Sequence, residues 1–310
     1  MVSASIKSRC YHEAHEREEI RLEYAMGDAR ILLGTCAFAA SGWNGAFYPK
    51  GMKSTEYLTF YAERFDTVEI DSTFYGCPAP KTINNWHDKT PTDFLFAVKV
   101  PQAITHEKIL VDCQEEFETF VTTMDLLKQK LGPIVFQFPH FDKYQLKDRH
   151  AFTDRLLPFL RTLPRGYQFA LEIRNRKWLD AEFADMLRGF NVALVVQDIH
   201  TMPGPDGMEF DPITADFSYV RLLGNRKQIE MTTTVWEKIV ENKTGKVSEW
   251  VNYCRAVQRR GIKQYVYANN HYEGFGPGTV AKFRDLWKKA GGTDIGKPIK
   301  EPLERTLFDG

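Results

Sequence analysis

The chain carries no glycine-rich dinucleotide turn, no CxxC pair, no HExxH and no apolar run long enough to cross a bilayer. Each absence closes off a class. After the first apolar segment stands GTCAFAASGW where a dinucleotide fold would place GxGxxG, which argues against a doubly wound open sheet. The five cysteines, at 10, 36, 77, 113 and 254, are odd in number, as expected of reduced thiols in an intracellular protein. The histidines nearest the strand ends, His106, His200 and His271, are too sparse for a three-histidine zinc centre, and no cofactor is expected; a divalent cation on Glu69, Asp71 and Glu172 is the alternative, with Lys99 and two arginines competing for those carboxylates. Excess charge is missing as well. Lys plus Arg total 41 and Asp plus Glu total 41, which removes bulk attraction to nucleic acid or anionic membrane but leaves room for a local basic groove. With no apolar signal core at the N-terminus, a cytoplasmic protein without a membrane partner is the expectation; oligomeric state is not legible.

What is present is a regular alternation of strand-like and helix-like segments. Strands are read at Ile31–Cys36, Thr67–Asp71, Phe94–Lys99, Ile134–Phe138, Gln168–Ile173, Val192–Gln197, Phe217–Leu223 and Gln264–Asn269. Helices are read over Ser54–Phe65, Lys81–Asp88, Glu115–Lys130, Lys147–Leu163, Ala181–Gly189, Val247–Arg260 and Thr279–Ala290. Eight strands, each followed by a helix or a helix-bearing loop, predict an α/β fold: one TIM-type (β/α)8 barrel over residues 29–290. Residues 1–28 read as a polar arm, where His12, His15 and Glu16 fit a solvated helical face, and 291–310 as an extended tail.

In such a barrel the working end is the C-terminal end of the strands, and period-two alternation predicts what points inward there. The second strand offers Glu69 and Asp71, the third Lys99, the fourth Gln137, and the fifth Glu172 and Arg174 with Trp178 just beyond. The sixth offers Gln197 or Asp198, the seventh Tyr219 and Arg221, and the eighth Asn269 and His271, with Asn270 between them a further binding candidate. Buried charges must be compensated, so Lys99, Arg174 and Arg221 facing Glu69, Asp71 and Glu172 suit an anionic or hydroxyl-rich ligand. The bland alternative is an ion network that merely caps the barrel. Glu69, Glu172 and Lys99 are the catalytic candidates, as acid–base groups and as an amine able to form a Schiff base. The aromatics Trp43, Tyr75 and Trp178 flank the same end. After the last strand, the turn from Gly274 through Gly276 to Thr279 is expected to bind an anion together with Arg221.

The segments GTCAFAASGWNGAFYP, TVEIDSTFYGCP, FLFAVKVPQAITHE, IVFQFP, LEIRNRKW, YVRLLG and YANNHYEGFGPGT together resemble the YecE-like family, domain of unknown function 72. The resemblance implies a TIM-type barrel and hands over no reaction. One departure is Asp71, where asparagine is expected in many members. Three functions are carried from the residues. The first is a metal-independent hydrolase, lyase or isomerase acting on a sugar-like or phosphorylated small molecule. The second is a nucleic-acid-associated protein, with Trp43, Tyr75 and Trp178 stacking bases and Glu304–Phe308 resembling a clamp-binding peptide. The third is a ligand sensor without turnover.

Overall fold

The computed structural model describes residues 30–292 and 295–296. The arm at 1–28, most of the tail and the clamp-like peptide lie outside them. Eight strands follow in chain order: β1 Ile31–Thr35, β2 Thr67–Ile70, β3 Leu95–Lys99, β4 Leu131–Gln137, β5 Phe169–Glu172, β6 Val192–Asp198, β7 Phe217–Leu222 and β8 Lys263–Ala268. Neighbours pair in parallel in the order β1-β8-β7-β6-β5-β4-β3-β2, so the sheet curls into a TIM-type barrel with its ends at β1 and β2. Helices connect them: α1 Tyr57–Ala62, α2 Pro80–Asp88, α3 Gln114–Met124, α4 Arg149–Leu160, α5 Ala181–Gly189, α6 Arg226–Thr232, α7 Thr244–Gln258, α8 Asn270–Glu273 and α9 Gly276–Lys289. No described helix is long and apolar enough to cross a membrane.

Alternation along each strand splits the core in two. Val68, Ile70, Phe96, Val98, Ile134, Phe136, Leu171, Val220 and Val266 face outward under the helices, in one cluster with Phe117, Phe159 and Trp250. Ala97, Val135, Ala170 and Ala193 face the bore, opposite the large rings of Phe217, Tyr219, Tyr265 and Tyr267. Small residues on β3–β6 thus leave room for aromatics from β7 and β8 to cross the interior. Two of their hydroxyls find partners elsewhere on the wall: Tyr267 Oη meets Thr67 Oγ1 of β2, just beyond β1, at 2.6 Å, and Tyr265 Oη donates across the bore to Gln168 Oε1, beside the start of β5, at 2.9 Å.

No registered ladder joins β1 to β2 among the described residues. A side chain bridges that seam instead. The α1 residue Tyr61 accepts the Thr35 backbone N–H at 2.9 Å, lies 2.8 Å from Thr35 Oγ1, and its hydroxyl is 3.2 Å from the Thr67 carbonyl oxygen. Gly34 is required beside it, because a Cβ there would stand 2.2 Å from the Thr67 carbonyl oxygen.

Three sequence expectations shift. The helix expected over Glu115–Lys130 ends at Met124, and a 3-10 turn with Lys128 at φ 53° replaces its last part. β4 starts at Leu131 rather than Ile134. After β7 comes α6, where no helix was read; Asn225 caps it by accepting the Gln228 N–H at 3.3 Å. Of the tail, Ile295 bridges in parallel to Ile31.

Candidate active site

Charged side chains at the strand ends form two layers. The lower one is sealed. Glu69 from β2 and Glu172 from β5 are both 0 % exposed, and Arg221 from β7 is 2 % exposed between them. Arg221 donates from Nε and Nη2 to Glu69 Oε1 (3.1 and 2.7 Å), from Nη1 to Glu172 Oε2, and from Nη2 to Asp71 Oδ1 at 3.1 Å. Tyr219 Oη donates to Glu69 Oε2 at 2.5 Å, and Arg174 Nε donates to Glu172 Oε1 at 2.8 Å. Directional donors on nearly every carboxylate oxygen are what let these charges stay buried. Burial disfavours ionised Glu172, but Arg221, Arg174 and Lys99 outweigh it and hold the carboxyl down at about 2.

The upper layer is open. Beyond Ile70 the chain turns into a 3-10 segment, Asp71–Tyr75, which lifts Asp71 above Glu69 and carries Phe74 and Tyr75 to the rim. Thr73 ties this turn to β3: its Oγ1 sits 2.7 Å from the Lys99 carbonyl oxygen and accepts the Lys99 N–H at 3.0 Å. Lys99 Nζ lies 3.8 Å over the Phe74 ring and 3.9 Å from Asp71 Oδ1, and it makes no hydrogen bond among the described residues. Burial, then the neighbouring Glu69, push the Asp71 carboxyl up to about 6 against the pull of Arg221 and Lys99, although its side chain remains 32 % exposed. His106, on the π-helical turn Ala103–Glu107, packs edge-on against Phe74 and is drawn down to about 4 by burial, with Lys99 and Arg174 adding to it.

Above this layer opens a cavity of about 1290 Å³. Asp71, Lys99, Arg174, Gln137 and the outer edge of Arg221 form its floor, with His106 and Asn269 alongside; Phe74, Tyr75, Arg226, Glu230 and Met231 are among the residues of its walls and rim.

A family model described as "Protein of unknown function DUF72" matches residues 32–302. This chain belongs to the DUF72 family. UPF0759 protein YecE of Escherichia coli (strain K12) is 31% identical over 122 residues, 38% of this chain and 41% of that protein. UPF0759 protein YunF of Bacillus subtilis (strain 168) is 30% identical over 158 residues, 48% of this chain and 54% of that protein. The chain therefore spans about half the length of the curated relatives it matches. The crystal structure of a DUF72 family protein from Thermotoga maritima superposes with a TM-score of 0.68 at 26% identity, covering 84% of this chain and 99% of that one.

In this DUF72 chain the sequence-derived candidates divide. Asp71, Lys99, Arg174, Arg221, Asn269 and Tyr75 line the cavity. Glu69 and Glu172 face the right way but lie one layer too deep to touch a ligand; they hold Arg221. The anion site expected at Gly276–Thr279 is corrected. Asn270 Oδ1 already accepts the Gly276 N–H at 2.8 Å and the Trp43 Nε1–H at 3.3 Å, while buried Thr279 donates to Glu273 Oε2 at 2.9 Å. That turn is closed by its own side chains, and Arg221 spends its donors on carboxylates. Trp43 is buried, and Trp178 stacks on Phe141 and Phe152, so of the three aromatics expected to stack bases only Tyr75 is exposed, at 77 %.

Asn269 Oδ1 accepts the His271 N–H at 3.0 Å and also lies 2.6 Å from His271 Nδ1; His271 Nε2 lies 3.1 Å from Glu230 Oε1, pinning α6 to the end of β8. Glu230 was missed as a site residue, and His106 was weighed only as a metal ligand. The Thr105-His106 pair just past the exit of β3 was the available signal for His106. Nothing in the sequence marks Glu230.

Cys36, Glu69 and Asp71 are the described group with metal-ligand atoms mutually within 4.8 Å. Burial keeps the Cys36 thiol protonated, and Arg221 occupies oxygens of both carboxylates, so the set is a poor fit for a cation.

Proposed function

We propose that this chain is an enzyme acting, without a metal, on a small anionic, sugar-like or phosphorylated molecule held at the strand ends, with Asp71 as its acid–base group. One observation carries the reading: Asp71 is the carboxyl of the charged cluster that reaches the cavity, and it is poised near neutrality at about 6. Arg221 and Lys99 favour its carboxylate once a proton has left; burial and Glu69 favour its acid. Such a group can take a proton from a hydroxyl, or from a carbon next to a carbonyl, and return it. Arg174 supports anion binding, because only its Nε is engaged among the described residues and the rest of its guanidinium faces the cavity. Glu69 and Glu172 support the site indirectly, by holding Arg221 in place.

The experiment has two arms. Inorganic phosphate and a panel of sugar phosphates are titrated while melting is followed, since a ligand that binds the folded state raises the melting temperature with occupancy. The same panel is incubated in deuterium oxide and scored for exchange of carbon-bound hydrogen. A melting shift in wild type that Arg174→Ala removes, with exchange that Asp71→Asn removes, is the expected result. No shift with any anion, or exchange unchanged in Asp71→Asn, would contradict the reading.

A further inference from the structure

Lys99 is the group of the cavity whose environment the acid–base reading leaves unexplained. Its residue is 9 % exposed, yet the ammonium has no hydrogen-bond acceptor among the described residues, and its carboxylate neighbour stands off at 3.9 Å. A buried lysine kept only as a structural cation would be expected to spend its donors, as Lys130 does here: its Nζ donates to the Thr90 carbonyl oxygen at 2.7 Å and lies 3.2 Å from Thr90 Oγ1. Lys99 instead projects into the cavity. The Phe74 ring covers it, the Thr73 hydroxyl fixes its backbone, and Asp71 lies beside it. Burial lowers its proton affinity; Asp71 opposes this and Arg221 reinforces it. A lysine desolvated beside other cations, with a carboxyl at hand, is the arrangement that makes an amine nucleophilic.

We infer that Lys99 forms an imine with the aldehyde or ketone carbonyl of an anionic ligand, Asp71 moving the protons. This rests on the cavity being a ligand site, as proposed above, and adds a substrate class: carbonyl compounds that carry phosphate or carboxylate. In the free-amine form, the Nζ lone pair attacks the carbonyl carbon and the π electrons move to oxygen, which takes the proton of the Asp71 acid. The ammonium nitrogen of the adduct returns a proton to the Asp71 carboxylate, giving a neutral carbinolamine. The nitrogen lone pair then expels the hydroxyl, which leaves as water with that same proton. Carbonyl, amine and carboxylic acid have become protonated imine, water and carboxylate, with no oxidant or reductant needed. Arg174, across the floor, faces the anionic part of the ligand.

Pyridoxal 5′-phosphate, an aldehyde that carries its own phosphate, is the probe. It is added stoichiometrically to the full chain, the imine is reduced with borohydride, and the labelled peptide is identified by mass spectrometry. Labelling should fall on Lys99, be suppressed by excess inorganic phosphate, and disappear in Lys99→Arg, which keeps the charge. Asp71→Asn should slow it by about a hundredfold, the scale of general acid–base assistance. Label spread over surface lysines, at the same rate in Lys99→Arg as in wild type, would overturn the inference. Phosphate-induced melting shifts are measured in parallel: a shift without Lys99 labelling overturns the imine and leaves the ligand site standing, whereas neither shift nor labelling overturns both.

Discussion

Glu69, inside β2, and Asp71, on the turn just past its end, sit two residues apart and both meet Arg221, yet they live in different chemistry. Glu69 is sealed beneath Arg221 with donors on both oxygens; Asp71 shares one Arg221 nitrogen and opens to the cavity. The same contrast separates Glu172, held ionised, from Lys99, left without an acceptor among the described residues. A buried ion network that is fully satisfied has nothing left to offer a ligand, so its role is to position what lies above it. Groups that remain unsatisfied at a cavity floor are the ones available for work.

Breaking the lower layer should have the largest effect. Arg221→Ala leaves Glu69 and Glu172 buried without their shared cation, and a loss of about 3–5 kcal/mol is expected in denaturant unfolding. A loss below about 1 kcal/mol would mean the layer relaxes into solvent, and the contrast would fail.

Acid titration sharpens the same point. The Glu172 carboxyl is depressed from 4.5 in the ordinary case to about 2 in the fold, so the unfolded chain binds the extra proton between those values. Its stabilisation is complete above about pH 4.5 and is lost as pH falls towards 2, by about 3 kcal/mol in order of magnitude. Glu172→Gln should be less stable than wild type at neutral pH, and the difference should shrink across that acid window.

How far the sequence alone reached can be read from these residues. Strand periodicity correctly placed Glu69, Lys99, Gln137, Glu172 and Arg221 on the bore face, because a period of two is a property of the backbone. It carried no information on depth, since height in a barrel depends on tilt and on where a strand breaks into a turn, as β2 does at Asp71. The Gly276–Thr279 turn misled for a related reason. Its glycines match an anion-binding loop, but the amide that fills it belongs to Asn270, whose side-chain direction periodicity does not encode. The helix α6, short and mostly polar, gave too little apolar pattern to be read.

Smaller effects belong to the upper layer. Arg174→Ala removes one donor from Glu172, which keeps Arg221, so a stability loss of about 1 kcal/mol is expected. The melting rise induced by phosphate should vanish in that variant; its persistence would move the anion elsewhere. Asp71→Asn should change stability by no more than about 1 kcal/mol in either direction, because the burial and the Glu69 charge that disfavour its ionised form are offset by Arg221 and damped by its contact with solvent. The folded carboxyl is raised from 3.8 to about 6, so ionised Asp71 weighs against the fold above pH 6, and the variant should gain on wild type as pH rises from 4 through 6.

The division between a supporting layer and a working layer is tested most directly by following the side-chain carboxyl carbons of Asp71 and Glu172 by NMR from pH 8 to pH 3, with and without inorganic phosphate. Asp71 is expected to titrate near 6, phosphate to move this midpoint upward, and Glu172 to stay ionised throughout and ignore phosphate. An Asp71 midpoint at or below 3.8 that phosphate leaves unmoved would overturn the division.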